Sequence, residues 1–216
     1  MKKYILLLFL VVGLFSADVF GQQFIFLPDA ILANYLEQNF SCVQAQNLDV
    51  NCANNSSLTT LNLENLGITD ITGLEHFQNL ELLNINGNNV ASVDTLPPNL
   101  ETFYARNNLL DSLPTLPSSL RSLDITSNQF TEVPNLPLGI LFLGIEGNQL
   151  NALPALPISI TTLYISANNI TQLPQLPPNL RTLSAASLPI DSLPNLPSTL
   201  VELRVQYTNL VRLPAL

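Results

Sequence analysis

Residues able to carry acid–base, nucleophilic or metal chemistry are few in this chain. Histidine occurs once, as His76, and cysteine twice, as Cys42 and Cys52, among 216 residues. A serine nucleophile would need His76 as its base, yet Leu74-Glu75-His76-Phe77 holds nothing like the sharp strand-to-helix turn that presents a reactive serine. His76 reads as an ordinary surface histidine. Paired carboxylates are the other route to hydrolysis, and Asp124 and Glu146 project from nearby strands with the residue types of a glycosidase pair. A regular sheet offers no enclosed pocket to raise the pKa of one partner, so catalysis is not expected. No other Cys or His lies near Cys42 and Cys52 to complete a ligand set, and neither a metal nor a cofactor is expected.

The setting of the cysteines follows from the N-terminus. Met1-Lys2-Lys3 precedes an unbroken apolar run from Tyr4 to Phe15, and Val19-Phe20-Gly21 supplies the small and branched residues that a signal peptidase requires. Residues 1–21 read as a secretory signal peptide, with a mature chain starting at Gln22. The run is about 12 residues, short of the roughly 20 that span a bilayer, and no later stretch offers a membrane span. In an oxidising compartment Cys42 and Cys52 are expected to form a disulfide. Loss of residues 1–21 removes both lysines and Asp18, leaving five Arg against fifteen acidic residues, or net −10. Such a surface repels phosphate backbones and anionic membranes, which disfavours nucleic acid and lipid headgroups as partners.

The elements that position these side chains recur at a fixed interval. Leu96-Pro97, Leu116-Pro117, Leu136-Pro137, Leu156-Pro157, Leu176-Pro177 and Leu196-Pro197 stand 20 residues apart. A second proline column runs from Pro114 to Pro214 in the same step, and Asn88, Asn108, Asn128, Asn148 and Asn168 form a third. Twelve of the sixteen prolines fall in these columns, so they belong to the repeat itself. Between the prolines each unit reads L-x-x-L-x-I-x-x-N-x-L, as in Leu120, Leu123, Ile125, Asn128 and Phe130. This resembles the leucine-rich-repeat family, and the LPxLP that recurs at 113–117, 153–157, 173–177 and 193–197 looks like the short bacterial class found in secreted effectors. The resemblance covers Leu58 to Leu216. It implies a repeat solenoid with a parallel β-sheet on the concave face and a binding function. Some effectors of that class carry a separate ubiquitin-ligase domain with a catalytic cysteine, whose position Cys42 and Cys52 do not match.

Physical reasoning reaches the same architecture. In Ser122-Leu123-Asp124-Ile125-Thr126 the alternation sends Leu123 and Ile125 to one side and polar residues to the other, as in a short half-buried strand. On the return path two prolines per coil fix φ and remove donors, so an extended or polyproline-like, nearly helix-free convex side is expected. The asparagine follows the strand, where its amide can bond turn backbone otherwise buried unpaired. Leu188 and Thr208 break that column, and their coils are expected to be looser or deformed. A lone coil cannot offset its chain entropy, so stability should reside in stacking, with covers at both ends.

The N-terminal cover, residues 22–57, is read from Leu27 to Phe40. Asp29 is the expected helix cap, with Ile31, Leu32, Tyr35, Leu36 and Phe40 on one apolar face. Ser41 to Ser57 is expected to be a disulfide-tied connection into the coils of 58–216, about eight in number. At the other end Leu213-Pro214-Ala215-Leu216 supplies no polar cover. Either the chain continues beyond Leu216, the favoured alternative, or the last coil is shielded by a partner or by a second copy through self-association.

Outward strand positions are mostly small and polar, and the exceptions cluster in mid-array. Phe142 is expected beside Tyr164 on the next coil, with Gly144 leaving a notch flanked by both rings, Asp124 and Glu146 at its edges, and Tyr104 and Arg106 two coils away. Aromatic and Arg side chains carry binding energy at interfaces. The favoured function is therefore protein binding or adhesion by a secreted or cell-surface protein of bacterial type, with a host or cell-surface protein as partner. A structural, self-associating envelope role and a glycan-binding surface are the alternatives.

Overall fold

The computed structural model describes residues 23–212. The apolar leader with its expected cleavage site, and the final four residues, lie outside the described residues. The N-terminal part contains strand β1 (Phe24–Phe26), helix α1 (Ala30–Asn39), strands β2 (Val43–Gln44) and β3 (Asn47–Asp49), and helix α2 (Val50–Asn55). Eight three-residue strands follow, one per coil: β4 (Thr60–Asn62), β5 (Leu82–Asn84), β6 (Thr102–Tyr104), β7 (Ser122–Asp124), β8 (Phe142–Gly144), β9 (Thr162–Tyr164), β10 (Thr182–Ser184) and β11 (Glu202–Arg204). They form one parallel sheet in chain order, with each strand hydrogen-bonded to its sequence neighbours. Residues one repeat apart face each other, as in Phe103↔Leu123 and Leu123↔Leu143. The coils therefore stack as a solenoid.

Leu83, Phe103, Leu123, Leu143, Leu163 and Leu183 are fully buried at the strand centres, and Ile85, Ile125, Ile145 and Ile165 are fully buried two residues on. After the first coil, the described return paths contain no helix, as the proline columns require. The first coil is the exception, with a 3-10 turn over Leu74–His76 entered through Gly73 at φ 104°. A Cβ on Gly73 would run into the Leu27 side chain of the cover, so glycine is needed for space as well as for backbone conformation.

Asp29 caps α1 by accepting from the Leu32 N–H at 2.8 Å, and its other oxygen accepts from the Thr69 N–H and hydroxyl at 2.7 and 2.8 Å. One carboxylate thus fastens the cover to the first coil. Burial pushes its pKa upward, but the bonds from Leu32, Thr69 and Ile31 together outweigh that and hold it below the ordinary value. The apolar face of α1 departs from expectation at Ile31, which is 45% exposed, while Ala33 takes a buried place beside Leu32 and Leu36. The expected connection from Ser41 to Ser57 is a structured unit instead. The β2–β3 hairpin turns through Ala45 and Gln46, both at positive φ, and α2 follows with Asp49 as its cap. Cys42 and Cys52 are bonded, tying the hairpin to α2.

The asparagine column links each coil to the one before it. Asn128 Nδ2 donates to the Ala105 carbonyl of the preceding coil at 2.8 Å and to Ile125 and Thr126 of its own turn. Its Oδ1 accepts from Leu110 N–H at 3.0 Å. Asn88, Asn108, Asn148 and Asn168 repeat the scheme. The residue before each column position has positive φ, including Asn107, Ser127, Ala167 and Ser187, which swings the next side chain inward.

Leu188 and Thr208 do not deform their coils as expected. Strands β9, β10 and β11 keep their register, Ser187 keeps the left-handed turn, and Leu188 is buried in the core. Leucine replaces amide bonds with apolar contact at unchanged geometry. The loss is in connectivity, because among the described residues no side-chain acceptor meets the Ile170 N–H, and Pro189 has no N–H where Leu109, Gln129, Gln149 and Asn169 each bond the preceding coil.

Two outcomes follow. Asn128→Ala leaves buried backbone groups unbonded in two coils and should cost about 3 kcal/mol, measured by urea unfolding. Because the folded pKa of Asp29 is depressed, its contribution is present above the ordinary carboxylate range and lost as pH falls through the folded value. Asp29→Asn should therefore lower stability at pH 7 and flatten the acid limb of stability measured against pH.

Candidate functional site

The side chains of the concave face are held by strands with fixed column spacing. Phe142 opens β8, and Tyr164 closes β9 on the next coil. Their rings meet edge to face, with centroids 5.4 Å apart and planes at 82°. The register places Phe142 opposite Thr162 and Gly144 opposite Tyr164, so the ring contact runs diagonally across the ladder. Both aromatics remain part-exposed.

Gly144 does not leave the expected notch. It is buried, and a Cβ placed there would sit 2.9 Å from Asp124 Oδ1 and 3.2 Å from Phe142 Cε1. The missing side chain is filled by its neighbours, with the Asp124 carboxylate lying over the glycine from one side and the Phe142 ring from another. Asp124 is consequently not an edge residue open to solvent, being only 7% exposed. Its Oδ1 accepts from the Thr126 N–H at 3.1 Å, and its Oδ2 lies 3.7 Å from Arg106 Nε. Burial raises the pKa of Asp124, opposed by the Thr126 hydrogen bonds and the Arg106 charge and reinforced by Glu146.

Arg106 is itself positioned through its backbone, whose N–H donates to Asn86 Oδ1 at 2.7 Å. Tyr104, Arg106, Asn86, Ser122, Asp124 and Phe142 line a shallow depression. Glu146 lies on the other side of the aromatic pair and accepts from Ser184 Oγ at 3.1 Å. Ser184 in turn shares a hydrogen bond of 2.8 Å with Ser166 Oγ, which accepts from the Ala186 N–H. The structure thus brings Tyr104, Arg106, Asp124 and Phe142 together and places Glu146 in a separate serine network. Asn86, Ser122, Thr126, Ser166 and Ser184 were not singled out in the sequence. Their signal was their place in the outward columns one or two coils from the charged groups.

The carboxylates have structural partners and face an open sheet. Asp124 is engaged by Arg106 and Thr126, and Glu146 by Ser184. His76 lies in the 3-10 turn of the first coil, 3.5 Å from Glu75. Among the described residues no group of three or more His, Cys, Asp or Glu is arranged to hold a metal ion, and no helix is long and apolar enough to cross a membrane. What this surface offers is a rigid arrangement of aromatic, guanidinium and hydroxyl groups for contact with another molecule.

The raised pKa of Asp124 carries a testable sign. The folded state disfavours the ionised form, so the penalty is fully present above the folded pKa and is relieved as pH falls through it. Asp124→Asn retains an oxygen for the Thr126 N–H and should raise stability at pH 7 while removing that part of the pH dependence. Thermal unfolding across the acidic to neutral range checks both.

The Leucine Rich Repeat family model matches residues 119–157. No curated protein matches the chain. Among solved structures, YopM, a leucine-rich effector protein from Yersinia pestis, is 32% identical with a TM-score of 0.71, covering 74% of this chain and 45% of that one. A Shigella effector LRR domain is 33% identical with a TM-score of 0.54, covering 59% of this chain and 63% of its own length. The functional domain of InlJ from Listeria monocytogenes, at 22% identity and a TM-score of 0.75, covers 89% of this chain and 45% of that one and speaks for the fold alone. The chain spans less than half the length of the YopM and InlJ structures. Its coils, parallel sheet and repeat match together make this a leucine-rich-repeat solenoid, a fold commonly used for protein binding.

Proposed function

We propose that this chain is a secreted or surface-exposed protein-binding module of the short 20-residue LPxLP class, engaging its partner through the concave sheet. The observation that carries the reading is the edge-to-face pair of Phe142 and Tyr164, part-exposed in the middle of a sheet whose other outward positions are mostly small and polar. Aromatic side chains supply large contact area at little entropic cost, and interface energy concentrates in such residues. Arg106 and Tyr104 extend the patch by two coils, and Asp124 fixes the arginine from below.

The apolar run after Met1-Lys2-Lys3 supports export, and the Cys42–Cys52 disulfide is compatible with an extracellular location. The similarity to a leucine-rich effector protein supports a protein partner and an effector-like role. Acidic charge of net −9 overall favours a partner with a neutral or basic contact surface.

The test is capture from cell-surface extracts, followed by titration of the captured protein. Phe142→Ala combined with Tyr164→Ala should cost at least about 2 kcal/mol of affinity with the fold intact. Gln172→Ala, exposed on the return path, should be silent. Equal affinity of wild type and the double variant removes the concave patch as the binding site.

A further inference from the structure

The solenoid has a second surface with an unusual composition, at the edge just before each strand. There the chain makes a two-residue turn, as at Leu138 and Gly139, closed by the Ile140 N–H on the Pro137 carbonyl. Two columns of side chains stand on this edge. The first turn residues read Pro98, Ser118, Leu138, Ile158 and Pro178, all exposed. Leu138 is 87% exposed and Ile158 71%. Over the five coils centred on Leu141 the residues that precede the strands read Glu101, Arg121, Leu141, Thr161 and Arg181, flanked by Glu81 before and Val201 after. Leu141 is a further exposed large apolar side chain, so three of them meet within two coils.

The order of charges along the second column is the informative feature. Glu101 stands two coils before Leu141 and Arg181 two coils after it, each roughly 10 Å from the centre at about 4.8 Å per strand. Among the described residues neither has an ion-pair partner, since the ion pairs there join Glu75 to His76, Asp124 to Arg106 and Glu202 to Arg204. A two-fold interface brings a position and its mirror along the column together, so opposite charges at equal distances on either side of an apolar centre are self-complementary.

We infer that this edge associates with a second copy of the same chain, antiparallel, about a two-fold axis at the coil of Leu138 and Leu141. Leu138 and Leu141 then meet their own counterparts, and Glu101 pairs with Arg181 of the other copy twice. Arg121, whose guanidinium folds back onto the Ser118 and Leu120 carbonyls, comes opposite the hydroxyl of Thr161. Pro98 meets Pro178. A charge-matched apolar centre also answers why a chain with net charge −9 exposes these leucines together. Both concave faces open to the same side of such a dimer and remain free. This inference does not rest on the concave-face reading, and it differs from association through the last coil.

Sedimentation velocity of the purified protein over a micromolar to submillimolar range tests it, with circular dichroism to confirm that each variant folds. A monomer–dimer equilibrium is expected. Glu101→Arg and Arg181→Glu should each weaken it at least about tenfold by placing like charges in contact, and the combined variant should restore it to within about threefold of wild type. Leu141→Cys should give a disulfide-linked dimer under mild oxidation, whereas Gln172→Cys should not. A monomer at every concentration overturns the inference. A dimer indifferent to the charge exchanges also overturns it and points to the last coil.

Discussion

In coil after coil up to Leu150, a turn N–H is bonded by the asparagine of the next coil. Val90, Leu110, Phe130 and Leu150 donate to Oδ1 of Asn108, Asn128, Asn148 and Asn168, one coil onward. The same amides donate back across the seam to Ile85, Ala105, Ile125 and Ile145 carbonyls. No coil is therefore complete alone, and leaving these buried groups unbonded is costly enough to make stacking obligatory. The left-handed residue before each asparagine is the local condition for the arrangement. It is met by glycine at Gly87 and Gly147 and by ordinary residues, at some backbone cost, at Asn107, Ser127 and Ala167.

This ladder makes the concave face usable. Because it holds consecutive turns at one separation, strand residues one repeat apart fall into register, and Phe142 and Tyr164 meet through placement on successive coils with no dedicated loop. Gly144 shows how tightly the columns are packed. Its lack of a side chain admits the Asp124 carboxylate into the sheet surface, and Arg106 is held beside that buried charge. Two positions read separately as a gap and an acidic edge are one unit in the structure.

The repeat period, the strand positions and the structural role of the asparagines were legible because each rests on a column of identical residues. The cap of α1 was legible from Asp29 ahead of an apolar run. The hairpin of β2 and β3 was not, since its turn uses Ala45 and Gln46 at positive φ where Asn-Gly or Gly would have marked it. Leu188 misled for a related reason. A missing hydrogen-bonding residue reads as weakness, but a buried leucine fills the same space and keeps the path of the chain. Within the candidate site, residue types and columns were readable, whereas burial of Asp124 over Gly144 depended on side-chain direction. The serine network around Glu146 lacked any compositional signal.

Amide hydrogen exchange at single-residue resolution probes the ladder directly, because the sequence supplies its own control. The Ile170 N–H occupies the position of the Val90, Leu110, Phe130 and Leu150 amides but faces Leu188 in place of an asparagine. If the side-chain amides hold the coils together, Ile170 should exchange at least about tenfold faster than Leu110, Phe130 and Leu150, and Leu188→Asn should slow it toward their rates. Equal protection of Ile170 and its counterparts in the wild-type chain would contradict the account, because packing alone would then be enough to hold the stack.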